Sequence, residues 1–89
     1  MFDLKDALFV VNELGISLDK FSIKDLVNGL NVELEHGKVN PLTNVTNDDL
    51  LLTGKIALAH LMEYPNYYNE EYGIVALERE LRQRLEDKH

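Results

Sequence analysis

Residues 48–68 read D-D-L-L-L-T-G-K-I-A-L-A-H-L-M-E-Y-P-N-Y-Y, and this stretch decides the fold. At about 100° per residue, the segment from Asp48 to Tyr64 is apolar on almost every side. Leu51, Leu58 and Met62 share one side, Leu50, Ala57 and Leu61 another, and Leu52, Ile56 and Ala59 fall between. A helix that is apolar most of the way round is normally surrounded by protein, so the spacing predicts the buried central helix of a small domain. Thr53, Lys55, His60 and Glu63 interrupt the run, which at about 17 residues is too short and too polar to cross a bilayer. Thr46 and Asp49 fit a capping box, and Asp48 and Asp49 suit a helix N-terminus. Pro65 ends the helix by disfavouring a helical Tyr64. Gly54 marks a close helix contact.

Working outward, residues 3–14 read as a first helix with Leu4, Ala7, Leu8, Val11 and Leu14 at the i, i+3, i+4, i+7 spacing and Gly15 as its stop. Phe9 and Val10 lie off that stripe and either widen the core-facing side or cover a partner's surface. The link to the next helix carries Ile16, Leu18 and Phe21 and is expected to pack down. Ser22 and Asp25 form a second capping box. Behind it, Ile23, Leu26, Val27, Leu30 and Leu34 make the stripe of a second helix that Gly37 ends. Residues 37–47 are turn-rich and form the longest loop; its Asn44-Val45-Thr46 sequon is read as chance. After Pro65, a fourth helix is expected over Asn66–Lys88, irregular near Gly73. Tyr67, Ile74, Leu77, Leu81 and Leu85 lie on one side of it, and Glu78–Arg82 and Glu80–Arg84 pair on the exposed side. The fold expected is all-α: a compact, four-helix, bundle-like single domain over residues 1–89, with a buried third helix.

Eighty-nine residues sit near the small end of what folds alone. The net charge is −7, and it is uneven: residues 1–71 carry twelve acids and five bases, residues 72–89 four of each. No basic stripe forms, which argues against binding nucleic acid or an anionic membrane surface. The absence of cysteine excludes disulfides and thiolate metal sites. No basic region followed by an apolar core opens the chain, so a cytoplasmic protein is expected.

The residues that could carry chemistry cluster on two helices. Glu33 and His36 are three apart near the end of the second; His60 and Glu63 repeat the spacing in reverse on the third. E-x-x-H is how bundle proteins aim a carboxylate and an imidazole at one ion. A site of Glu33, His36, His60 and Glu63 would suit zinc, iron or manganese, with Tyr67 and Tyr68 orienting the ligands. A buried hydrogen-bond network tying helices together explains the same residues without metal, and it is the reading preferred here. Glu35 faces away from Glu33 and is left out. Thr53-Gly54-Lys55 lacks the upstream glycine and the Ser/Thr of a P-loop, the Asn44–Asp49 run lacks the EF-hand glycine and glutamate, and no G-x-S-x-G elbow is present. No catalytic signature emerges.

The blocks G-L-N-V-E-L-E-H-G (29–37), T-N-V-T-N-D-D (43–49) and K-I-A-L-A-H-L-M-E-Y-P-N-Y-Y (55–68) together resemble a small bacterial and phage domain family of unknown function, over roughly residues 22–72. That family is marked by an E-x-E-H block followed by I-A-x-x-H-L-x-E-x-P-x-Y-Y. The resemblance places Glu33, Glu35, His36, His60, Glu63, Tyr67 and Tyr68 on its marked positions and brings no activity with it. It implies a shared site of either kind and allows a virion location if the chain is phage-encoded. The function expected is a small acidic interaction or structural module, binding a protein partner or its own copies, a subunit of a larger assembly included; the alternative is the metal-binding protein.

Overall fold

The computed structural model describes residues 1–39, 42, 49–69, 71 and 73–87. Four helices follow in order: α1 (Leu4–Leu14), α2 (Ile23–Val39), α3 (Leu50–Glu63) and α4 (Ile74–Asp87). Among the described residues there is no strand, and no helix is long and apolar enough to cross a membrane. The fold is all-α, as its periodicity predicts. Helices α1, α2 and α3 pack on one another, α2 against α3 most extensively, whereas α4 makes no comparable backbone approach to any of them.

Local chemistry explains most of the boundaries. Asp3 and Asp6 cap α1 reciprocally, the Asp6 amide donating to Asp3 (3.1 Å) and the Asp3 amide to Asp6 (2.9 Å). Gly15 closes that helix at φ 62°, a left-handed conformation that glycine adopts without a Cβ penalty. Ser22 and Asp25 make the expected box on α2. On α3 the cap is Asp49 itself, accepting from the Leu52 amide at 3.0 Å; Thr46, proposed as its partner, lies outside the described residues, as do Asp48 and the Asn44 sequon. Three expectations are corrected. Helix α2 does not stop at Gly37, which is buried and keeps a right-handed φ, so the helix runs on to Val39. The fourth helix begins at Ile74 rather than Asn66, because Pro65 opens a turn closed by the Tyr67 amide on the Tyr64 carbonyl (2.9 Å), and a second turn follows at Asn66–Asn69. Glu78 pairs with His36 rather than Arg82, while Glu80–Arg84 forms as expected at 2.6 Å.

The core comprises Ala7, Val10, Phe21, Leu26, Leu30, Ala57, Leu61 and Tyr68. Phe21 of the α1–α2 link is buried in it, so that link packs down. On α1 the buried face is rotated from the expected stripe: Val10 is fully enclosed while Leu4 and Leu8 stand about half exposed. Small residues set this rotation. A Cβ on Gly54 would lie 2.7 Å from Val10 Cγ1, so α1 and α3 approach as closely as a missing side chain allows. Helix α3 buries Thr53, Gly54, Ala57 and Leu61 and keeps Leu52 and Met62 exposed. Asn31 ties the N-terminus down, accepting from the Phe2 amide (2.8 Å) and donating to the Phe2 carbonyl (3.0 Å).

Candidate functional site

Glu33 on α2 and His60 on α3 each lie one turn along their helices from the point where Gly29 meets Ala57. The Pro65 turn folds the chain back so that Tyr68 drops between them. Its ring is 1% exposed. The Tyr68 hydroxyl donates to Glu33 Oε1 at 3.1 Å and lies 2.8 Å from His60 Nδ1. A carboxylate only accepts and a phenol has one proton, so with that proton given to Glu33 it is Nδ1–H of His60 that donates to the hydroxyl oxygen. Glu33 Oε1 is also 3.6 Å from Nδ1. Tyr67 stacks on the imidazole with centroids 4.3 Å apart and 15° between planes, and meets Tyr68 edge-on at 4.9 Å. Three elements, α2, α3 and the turn, are thereby joined by one hydroxyl.

Burial pushes the Tyr68 phenol well above its ordinary range, and the Glu33 charge and hydrogen bond push the same way. Burial raises Tyr67 as well, with smaller contributions from Glu33 and Glu78. A phenol held protonated this firmly is a poor nucleophile or base; it is a good hydrogen-bond bridge.

Not all the residues singled out by the sequence converge here. Glu33, His60, Tyr67 and Tyr68 do. His36 lies about a turn further along α2 and points to α4, its Nε2 3.6 Å from Glu78 Oε1, both side chains nearly half exposed. Glu63 and Glu35 are exposed. Among the described residues no three His, Asp or Glu side chains are grouped so as to hold a metal ion. Sequence reasoning missed Asn31 and Thr53, the latter fully buried with its hydroxyl donating to the Asp49 carbonyl at 2.6 Å; a polar residue inside an apolar stretch was the available signal for both. Beside the cluster, Tyr64, Asn66, Tyr67, Gly73, Ile74 and Leu77 line an open cleft of about 540 Å³.

The family described as "Protein of unknown function (DUF5661)" matches residues 7–79. The chain belongs to the DUF5661 family. No curated protein and no solved structure matches this DUF5661 chain. The family match takes in α2, α3 and the whole Glu33–His60–Tyr68 cluster, and it ends before Leu81 and Leu85.

The raised Tyr68 phenol gives this DUF5661 fold a defined alkaline limit. In the unfolded chain the phenol loses its proton near its ordinary pKa of 10.0, while in the folded chain it keeps it. Tyr68 therefore contributes full stability below pH 10, and that contribution falls as the pH rises above 10. In a joint titration of tyrosinate absorbance and helical circular dichroism, the last tyrosine is expected to ionise only as the helical signal is lost. Reversible ionisation of all four tyrosines with the helices intact would show that the hydroxyl is not locked in.

Proposed function

We propose that this chain acts by binding a protein partner, and that the Glu33–Tyr68–His60 cluster holds the fold together with no chemistry of its own. One observation carries the reading: Leu77, Leu81 and Leu85 stand 50%, 50% and 63% exposed along α4, and among the described residues no other helix packs its backbone against that helix. A continuous apolar strip of this kind on a small acidic protein marks an interaction surface more often than a solvent face. The cleft lined by Tyr64, Tyr67, Ile74 and Leu77 extends the strip toward the body. The cluster supports the reading from the other side, since its hydroxyl is occupied by both neighbours and shut off from solvent. A cytoplasmic setting, or a virion if the chain is phage-encoded, accords with this role.

The test is differential capture from cells that encode the chain. Wild type and a Leu77→Asp/Leu81→Asp variant of equal helical content are immobilised, and the retained chains, copies of the protein itself included, are identified by mass spectrometry. At least one is expected to be held by wild type and lost by the variant. Identical profiles would remove the reading.

A further inference from the structure

We infer that the α4 strip docks on a second copy of this chain, the two α4 helices running antiparallel and crossing near Leu81, so that Leu85 of each copy closes the cleft of the other. This rests on the reading of α4 as a binding surface and names its partner.

The charges beside the strip choose the partner and its direction. At about 100° per residue, Glu78 and Arg82 flank Leu81 on one side, and Glu80 and Arg84 flank it on the other. Of these four, the acids lie nearer the N-terminus of the helix and the bases nearer its C-terminus. When two such helices pair antiparallel, like flanks face each other with their order reversed. Glu80 then faces the second copy's Arg84, and Glu78, which also pairs with His36 of its own chain, lies on the flank that meets the second copy's Arg82. A parallel pair sets Glu78 against Glu80 and Arg82 against Arg84, like against like. Helix α4 is thus more complementary to itself antiparallel than parallel.

The uneven charge of the chain points the same way. Residues 1–71 carry the whole net charge of −7 and residues 72–89 carry none, so two α4 helices meet without net repulsion while two bodies would not. Antiparallel pairing leaves the bodies at opposite ends of the paired helices. A helix of 14 residues spans about 21 Å, more than twice the screening length of about 8 Å at physiological salt. With the crossing at Leu81, Leu85 of one copy comes opposite Leu77 of the other, beside Ile74, and both of these line the cleft. The pocket therefore receives a leucine from the second chain.

Sedimentation velocity on the full chain over a concentration series tests this. Wild type is expected to move from one to two chain masses of 10.2 kDa as concentration rises. Leu81→Asp is expected to stay monomeric with unchanged helical circular dichroism. Glu80→Arg and Arg84→Glu, taken singly, each place like charges across the pair twice and are expected to weaken self-association by roughly tenfold or more. An equimolar mixture of the two variants restores both contacts and should associate about as tightly as wild type. Each variant also loses the Glu80–Arg84 bond within its own helix; mixing cannot repair that, so rescue reports the contact between chains. A wild type monomeric at every concentration, a dimer that survives Leu81→Asp, or variants that fail to rescue each other would each overturn the inference. A monomeric wild type that still captures a different protein through α4 would leave the binding reading standing; loss of both would end it.

Discussion

Tyr68→Ala is expected to lower the melting temperature by roughly 15 °C or more, the largest effect of any single truncation in this chain. Removing a buried aromatic ring costs about 3–5 kcal/mol, and for a domain of this length each kcal/mol moves the midpoint by about 4–8 °C. The whole folding free energy of such a domain is about 4–13 kcal/mol, so the loss removes a large share of it. The ring is 1% exposed and fills the space above Gly29. Its hydroxyl serves His60 and Glu33 together, so both lose a partner when it goes. Tyr68→Phe separates the two contributions: the ring stays, the bridge is lost, and the cost should be about 1–3 kcal/mol for leaving buried polar groups unsatisfied. Thermal melts of the two variants check this. A Tyr68→Phe protein that melts with wild type would mean that the hydroxyl ties nothing, and the cluster would need another explanation.

How far this fold could be read in advance depended on the type of signal. Capping and stop residues act over three or four positions and were legible: Ser22 with Asp25, Gly15 and Pro65 all do what their chemistry predicts. Faces were harder. Of the stripe Leu4, Ala7, Leu8, Val11 and Leu14, Ala7 is buried and Val11 and Leu14 pack against the core. Leu4 and Leu8 have more apolar bulk than Val10, yet α1 buries Val10 because close approach to Gly54 outweighs the area offered by larger side chains. Gly37 was misread because a glycine in sequence cannot show whether it ends a helix or packs inside one. The early start assigned to the fourth helix came from counting Tyr67 in its stripe; that ring belongs to the turn and stacks on His60.

The site was half legible. The i, i+3 spacing correctly placed Glu33 and His60 beside the core, but it carried His36 and Glu63 along with them as though two helices stayed in contact along their length. They touch where Gly29 meets Ala57, and a turn or two beyond that point the partners change: His36 finds Glu78 and Glu63 finds solvent. Nothing local in the sequence states where two helices cross. The glycines state it indirectly, and Tyr68 could reach the crossing only because Pro65 turns the chain back.

That crossing yields the second large effect. Gly29→Ala is expected to destabilise the protein by about 1–3 kcal/mol, against the usual gain of about 0.5–1 kcal/mol when alanine replaces glycine inside a helix. A Cβ there would sit 2.6 Å from Tyr68 Cε2, 2.7 Å from its Cδ2 and 3.3 Å from the Ala57 Cβ. The ring cannot swing aside without breaking its bonds to Glu33 and His60, so the backbones of α2 and α3 must part. Gly54→Ala meets Val10 Cγ1 at 2.7 Å and Cγ2 at 3.3 Å, and β-branched Val10 has little rotamer freedom in a helix with which to yield. The α1–α3 contact allows a stricter test than a single melt. Val10→Ala removes the obstructing methyls, so Gly54→Ala should be destabilising in the wild-type background and neutral or stabilising in the Val10→Ala background, a reversal that only direct contact produces. Denaturant titrations of the four proteins give the coupling energy. If Gly54→Ala raises stability in both backgrounds, the helices are not held at that spacing, and the small-residue account of why α1 buries Val10 fails with it.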